Sequence, residues 1–433
     1  VKTVRKRSLQ LTYRSFLYIV KWTGLSVLVG ATVGLAAVAF IGALNWGIDV
    51  LGPLRRGHLV YGLPIIGLFL SGIITSTFSP VAAGSGIDAI IRAYNHRWGK
   101  TSLISVPVKL VASVCTIAFG GSAGRVGPTV QMGGGLAYWL GRALRLNLRD
   151  MRKVVLCGIG AAFGAIFTAP LAGGVFGAEV LYRDDVEYNN LFISFISSIT
   201  AYFVYSVLLD KDRLFAFSPP AEYTFIPHRD IPYFVLAGVV VGLVSLVFIK
   251  CLYGIEHLAE HVSIPAWGKT TLGGVMTGVT AIFATPLILG TGVEVLKMLT
   301  VERVGVGFLA ILLVGKIAAT SFAIGSGASG GLVGPCLVMG GMTGALLAGL
   351  TGYPGSVVVI AAGSVGFLGS AGHIPIATTL LAAELFGMEV LKAATIVCFI
   401  GSWIARDDTM LRQSLVSRAM TQKAPHHFDE EPL

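Results

Sequence analysis

The chain alternates long apolar stretches with short polar or glycine-rich breaks. Apolar runs fall near residues 15–48, 58–78, 104–119, 129–145, 154–181, 190–209, 231–253, 268–290, 305–324, 332–350, 355–371, 374–386 and 391–405. The runs are continuous, which points to buried or lipid-facing helices; a lipid-facing barrel would need alternating strands of about ten residues. Several are shorter than the ~20 residues that cross a bilayer. Many are broken by glycine clusters: Gly84-Ser85-Gly86, Gly120-Gly121-Ser122, Gly133-Gly134-Gly135, Gly325-Ser326-Gly327 and Gly330-Gly331. Such segments predict helices that stop partway through the membrane. Irregular backbone at that depth is tolerated only where it is buried in protein or lines a watery cavity.

Composition sharpens this picture. Of 433 residues, 54% are hydrophobic and 12% are charged, against about 25% charged in an average soluble domain. Too few charges exist to coat a soluble globule of this length, and too much apolar surface exists for a disordered chain. The expectation is an all-α polytopic membrane protein. The 56 glycines suit close helix packing and interrupted helices.

The net charge of +10 is unevenly placed. Lys2, Arg5, Lys6, Arg7, Arg14 and Lys21 fall in the first 21 residues, without an acid. The positive-inside rule then puts a basic segment, 1–24, in the cytoplasm, beneath a plasma membrane or a prokaryotic inner membrane. The apolar stretch that follows is long enough to span, so a cleaved signal peptide is not expected, and neither is nucleic-acid binding. Cys115, Cys157, Cys251, Cys336 and Cys398 stand singly, so neither a disulfide framework nor a zinc ribbon is indicated.

The chain repeats itself. Arg125-Val126-Gly127-Pro128-Thr129-Val130-Gln131-Met132-Gly133-Gly134 resembles Leu332-Val333-Gly334-Pro335-Cys336-Leu337-Val338-Met339-Gly340-Gly341. Ala169-Pro170-Leu171-Ala172 leads to Glu179, and Ile374-Pro375-Ile376-Ala377 leads to Glu384, each glutamate nine residues after its proline. Two halves with corresponding broken helices predict a transporter architecture with a site at the repeat interface. The membrane domain would span 25–406, with repeats over about 25–210 and 229–406 and a polar split near 211–228. A cytoplasmic helix over about 407–422 and a tail to 433 would follow.

Three segments place a glycine-rich turn before a helix start: Gly84-Ser85-Gly86-Ile87, Gly124-Arg125-Val126-Gly127-Pro128 and Gly330-Gly331-Leu332-Val333-Gly334-Pro335. A helix N-terminus offers free backbone N–H groups and about half a positive charge. Glycine lets the backbone come close to an ion, and proline early in a helix forfeits no hydrogen bond. Several such termini converging make an anion site without a buried full cation, and partial charges let the anion leave again. Glycine clusters also serve tight helix packing, but three of one design, two of them repeat-related, favour the anion site.

These motifs resemble the CLC family of chloride channels and chloride/proton antiporters. The family's GSGIP, GREGP and GGIFAP motifs match residues 84–88, 124–128 and 330–335, in family order. The APLAG helix start matches 169–173, and Val106-Pro107-Val108-Lys109 fits the helix before GREGP. The resemblance runs from about residue 25 to 420. It implies an inverted repeat, a homodimer in the lipid bilayer with one pore per subunit, chloride as the bound substrate, no cofactor, no metal and no enzymatic activity. Carried over, Ser85 would coordinate chloride through its hydroxyl beside Gly86 and Ile87. The N–H groups of Leu332 and Val333 would do so from the second repeat, and Arg125, Val126 and Gly127 would line an outer site. Serine at 85 goes with chloride in the family; proline there goes with nitrate.

The departures from the family decide the mechanism. Its gating glutamate is Val126 here, and the antiporters' inner glutamate, one residue after Glu179, is Val180. The inner tyrosine should fall near Leu411 or Arg412, while the last tyrosine in the chain is Tyr353. Without proton carriers, passive chloride conduction is the simplest expectation; an antiporter with an unconventional proton route is the alternative. Val126 either opens the pore or plugs it by dewetting. Asp88, in place of the motif's proline, reads as a first-turn cap or as a modulator of ion passage. Lys109 and Arg125 read as tuners of the pore potential or as structural ion-pair partners. Glu179 and Glu384 read as a paired structural device that hydrogen-bonds backbone near helix ends.

Two further patterns lead elsewhere. His257-Leu258-Ala259-Glu260-His261 matches a zinc-protease spacing, but it follows an apolar span directly and reads as a membrane-edge helix. Gly325-Ser326-Gly327-Ala328-Ser329-Gly330 matches a dinucleotide fingerprint without the strand and acidic residue that reading needs.

Overall fold

The computed structural model describes residues 2–55, 57–209, 223–302 and 304–421, with side chains from Phe16 onward. Among these, sixteen α-helices and a few 3-10 turns carry the fold, with no β-strand beyond isolated bridges. The first half holds α1 (Lys2–Leu51), α2 (Leu63–Phe78), α3 (Ile87–His96), α4 (Ser105–Ala118), α5 (Val126–Ala143), α6 (Leu148–Phe167), α7 (Pro170–Glu179) and α8 (Leu191–Leu208). The second holds α9 (Pro227–His261), α10 (Ala266–Phe283), α11 (Val293–Val301), α12 (Val306–Gly325), α13 (Val333–Thr351), α14 (Ser356–Gly372), α15 (Pro375–Phe386) and α16 (Met388–Ile404). Six segments among the described residues are long and apolar enough to cross a membrane. Most of the remaining helices are the short, interrupted kind that the glycine pattern predicts.

Eight helices correspond to eight, and the two halves meet around an approximate two-fold. Gly124 and Gly331, equivalent positions in the repeat, exchange both backbone bonds in an antiparallel bridge (N–H to O, 2.7 Å each way). Two equivalent residues that donate to and accept from each other must be related by a local two-fold. The glutamates repeat this reciprocity. Glu179, ending α7, accepts from the N–H groups of Ile376 and Ala377 at the start of α15 (2.9 and 2.6 Å). Glu384, in α15, accepts from Leu171 and Ala172 at the start of α7 (2.9 and 2.8 Å). Each carboxylate caps its partner's N-terminus, where negative charge is favourable. The sharp entrances to these helices also match: Thr168 and His373 adopt left-handed conformations (φ 52° and 53°), and Pro170 and Pro375 occupy the first helical turn. Because Glu179 is 3% exposed and Glu384 only half-buried, Glu179→Ala is expected to cost more, about 1–3 kcal/mol for a charged double hydrogen bond. Thermal unfolding of the two single variants in detergent checks the order.

Three expectations need correction. The Gly133-Gly134-Gly135 cluster does not interrupt a helix; it lies inside α5. A Cβ on Gly133 would fall 2.6 Å from the Gly158 carbonyl of α6, so this glycine serves close packing. The first helix, α1, starts well before residue 25, with its apolar span from Phe16. Residues 407–421 form no α-helix. They make a strap with one 3-10 turn at Arg418–Met420. Its backbone bonds go to distant chain: Met410 N–H to Ala371 O (2.8 Å), Leu415 N–H to Leu181 O (3.2 Å), with Arg183 N–H returning to Leu415 O (2.8 Å). The predicted split at 211–228 lies largely outside the described residues, as do the tail beyond 421 and the side chains of the first basic residues.

The strap is anchored along its length. His373 Nε2–H reaches the carbonyls of Ala405 and Asp408 at 3.0 Å each. Farther along, Arg418 holds Asp185 through both its N–H and its guanidinium. Desolvation pushes the Asp185 carboxyl up, but these bonds and the Val186 N–H outweigh it and hold Asp185 below the usual carboxylate range.

Candidate anion pathway

The starts of α3, α5 and α13 are brought together by backbone bonds between the loops that precede them. Besides the Gly124–Gly331 bridge, Gly84 N–H donates to Gly327 O (3.3 Å) and Gly330 N–H donates to Gly84 O (3.2 Å). The approach leaves no room for side chains. A Cβ on Gly127 would lie 2.2 Å from Ser85 O, and one on Gly331 would lie 2.7 Å from Gly127 N. Gly86 also needs its positive φ of 88°.

Each terminus carries free donors. The first bond of the α5 ladder runs from Thr129 N–H to Arg125 O and that of α13 from Cys336 N–H to Leu332 O. The N–H groups of Val126, Gly127, Val333 and Gly334 therefore precede both ladders. In α3, the first bond runs from Ile90 N–H to Gly86 O, so Ile87 and Asp88 stand likewise. Three partial positive ends thus converge where Ser85, Val126 and Val333 come together, and the arrangement can hold a small anion.

Lys109 does not point at that place. It is fully buried, and its ammonium donates to the carbonyls of Ala82 (3.1 Å) and Gly84 (2.7 Å). It fixes the 84–88 loop through backbone carbonyls, where the sequence suggested an ion-pair partner. Lys316, in the second repeat, does the same for the carbonyls of Ile288 and Gly290 (2.9 and 2.8 Å). That loop, Gly290-Thr291-Gly292-Val293-Glu294, is a near copy of Gly84-Ser85-Gly86-Ile87-Asp88. The sequence reading missed the copy, although its spacing from Lys316 repeats that of the first loop from Lys109 to within one residue.

Below the α3 terminus lies a cavity of about 910 Å³, lined by Ser85, Asp88, Arg92, Arg97, Lys100 and Glu256 among others. The basic residues outnumber the acidic ones, which raises local anion concentration. Asp88 does not cap its own helix. Its Oδ1 accepts from Gln413 N–H in the strap (3.2 Å), and its Oδ2 accepts from the Ser85 hydroxyl (3.4 Å). The strap is gripped from α9 as well: Arg412 stacks on Tyr253 (3.4 Å to the ring centroid) and pairs with Glu256 (3.5 Å). Tyr253 donates its hydroxyl to Thr409 O (2.8 Å). Glu256 and Tyr253 were not singled out by sequence, because they lie at the end of a helix that reads as an ordinary membrane span.

The other candidate residues separate into near and far. Val126 is 2% exposed and Leu332 and Val333 are as deeply buried, all at the convergence, with Arg125 as the N-cap of α5. Leu411 is buried in the strap beside the half-exposed Arg412, and Met410 Sδ lies 3.6 Å from Cys336 Sγ. Val180 stands apart, buried at the C-cap of α7. His257 and His261 lie at the exposed end of α9, with His261 Nδ1 2.8 Å from the His257 carbonyl.

Comparison with known proteins places this architecture. A chloride/fluoride channel protein of Pseudomonas syringae pv. tomato is 30% identical over 430 residues, covering 96% of this chain and 89% of its own. A CLC-type fluoride/proton antiporter superposes with a TM-score of 0.84 at 22% identity, covering 93% of this chain and 99% of its own. A slow cyanobacterial chloride/proton antiporter superposes at 0.78, also 22% identical, covering 89% of this chain and 94% of its own. The profile of the family described as voltage gated chloride channel matches residues 66–406, a span that contains all three converging helix starts. The chain is therefore a multi-pass membrane protein of the CLC family of anion channels and transporters.

Proposed function

We propose that this protein conducts chloride passively across the membrane, through the convergence of α3, α5 and α13. The observation that carries the proposal is Val126. The position that begins α5, among the free N–H groups, holds a buried valine where the family holds a carboxylate that binds protons and competes with anions. A valine does neither. Val180, at the second proton-handling position, is buried in the core. Tyr253, beside the strap, commits its proton to Thr409 O. Ser85 supplies a hydroxyl where chloride selectivity is set in the family. The basic cavity beneath it supports loading with anions from one side.

That cavity opens on the side that carries Lys21, Arg152, Lys153 and the turn between α5 and α6 at 144–147. Lys21 pairs with Asp150, and Arg152 lies over Tyr94 and Trp98 next to the cavity wall. By the positive-inside rule this is the cytoplasmic face, with the N-terminus on it. Exposed apolar side chains on α8 and α16, including Phe192, Phe203 and Trp403, suit lipid or a second copy of the chain, and a homodimer with one pathway per subunit is our reading.

Antiport is the second reading, favoured by the likeness to two solved antiporters and by the acids in the cavity. Reconstitution separates them. With voltage clamped by valinomycin, chloride efflux from loaded liposomes without proton uptake supports passive conduction. Uphill proton movement in fixed ratio to chloride refutes it. Fluoride run in parallel tests the substrate, since the Pseudomonas relative is described for both anions. Ser85→Pro is expected to move preference toward nitrate by severalfold in the same assay; unchanged selectivity would remove Ser85 from the pathway.

A further inference from the structure

Asp88 occupies a place that the passive mechanism does not require. It lies in the first turn of α3, at the floor of the converging N–H groups and at the wall of the basic cavity. Helix starts at this depth favour an anion, yet a carboxylate has been placed beside the one hydroxyl that would coordinate it. Its two oxygens are differently engaged. Oδ1 takes the Gln413 N–H of the strap, and Oδ2 takes the Ser85 hydroxyl proton. While Asp88 is ionised, the Ser85 proton is directed at the carboxylate and is not available to an anion.

The groups around Asp88 come from three elements. Arg92 is on its own helix, one turn along. Tyr253 and Glu256 face it from α9, and Arg412 of the strap lies over Tyr253; Lys109 of α4 is committed to the Ala82 and Gly84 carbonyls. Arg412 is in turn paired with Glu256. No cation in this set is bonded to the Asp88 carboxylate, so its charge acts on the nearest anion position, on the far side of Ser85 Oγ. Asp88 lines the cavity, which gives a proton from solvent a route.

We propose that Asp88 is a proton-binding group that sets anion affinity at Ser85, so that a proton and a chloride bind together. The proposal rests on the reading of Ser85 as an anion ligand. A proton from cavity water converts the carboxylate to a neutral acid. This removes the repulsion and releases the Ser85 hydroxyl, whose proton then turns to the anion; no bond other than O–H forms or breaks. By linkage, chloride binding raises the proton affinity of Asp88 by the factor by which protonation raises chloride affinity. Asp88 lines the basic cavity, and a proton that enters from that cavity and returns to it is not carried across. The device therefore tunes occupancy by the pH of that side without driving proton transport.

Chloride titration calorimetry on the purified protein in detergent tests this. Wild type is expected to bind chloride about tenfold more tightly near pH 5 than near pH 7.5, equivalent to about 1.4 kcal/mol. It should also take up protons on binding, measured by repeating the titration in buffers of different ionisation enthalpy. Asp88→Asn, which keeps an oxygen for Gln413 N–H, is expected to bind tightly at both pH values. Asp88→Pro serves if the asparagine variant is not monodisperse. Glu256→Gln is expected to keep the pH dependence. An unchanged pH dependence in both Asp88 variants, its loss in Glu256→Gln alone, or zero proton uptake by wild type would overturn the proposal. Failure of wild type to bind chloride at either pH would overturn the anion-site reading itself, a result distinct from chloride binding that is indifferent to Asp88.

Discussion

Val126→Glu is expected to lower chloride flux at least about tenfold at neutral pH and to make it recover on acidification. A glutamate there would enter the cluster of free N–H groups at the start of α5. A carboxylate at a helix N-terminus is held by the same donors and the same dipole that would hold chloride. It would compete with chloride for that place while ionised and withdraw once protonated. Glutamate titrates near pH 4.3 when unperturbed, and the N–H groups favour its charged form, so recovery should need clearly acidic solution. Val126→Gln has the same size without the charge. It is expected to slow flux less and to add no pH response of its own. Liposome efflux of the two variants between about pH 4 and pH 8 makes the comparison. Equal behaviour of the two would mean that the side chain at 126 does not face the anion.

The second large effect is steric. Gly331→Ala would put a methyl 2.7 Å from Gly127 N and 2.8 Å from Gly124 O, inside the bridge that joins the two repeats. Something must move, at about 1–3 kcal/mol for overpacking, and what moves is the backbone that aims the α5 and α13 donors. Transport should fall by more than tenfold while the helical circular dichroism is retained. Gly307→Ala in α12 is the matched control, because its Cβ would meet nothing within 4 Å; it is expected to stay within about twofold of wild type. Equal losses in both would point to folding in place of pore geometry.

Much of this was readable from the sequence, for identifiable reasons. Long apolar runs announce helices, and glycine clusters announce where they stop. The repeat of Pro128 and Glu179 in Pro335 and Glu384 announces two halves. That the glutamates hydrogen-bond backbone near helix ends followed from their matching distance to Pro170 and Pro375; that each caps the other's helix did not. What escaped reading depends on contacts between distant segments. Residues 407–421 carry enough polar and charged side chains to pass for a surface helix. Their backbone groups find partners at Ala371, Leu181 and Asp88, and a helix would forfeit these. The same contact changed the meaning of Asp88: a first-turn carboxylate reads as a cap, but its partners are a strap more than 300 residues away and the neighbouring serine. Lys109 was ambiguous because burial alone does not say which carbonyls a lysine holds. Gly133 was misread because a glycine that packs and a glycine that breaks look alike in one dimension, and only the facing Gly158 decides between them.

The central claim is that the permeating anion sits among the helix starts at Ser85, Val126 and Val333. Crystals grown with bromide in place of chloride test it most directly, because bromide is visible by anomalous scattering. The account predicts a peak within about 3.5 Å of Ser85 Oγ and of the N–H groups that open α13, the range of a hydrogen-bonded anion, and its loss in Gly331→Ala. Bromide bound elsewhere in the protein, with none at the convergence of α3, α5 and α13, would contradict it.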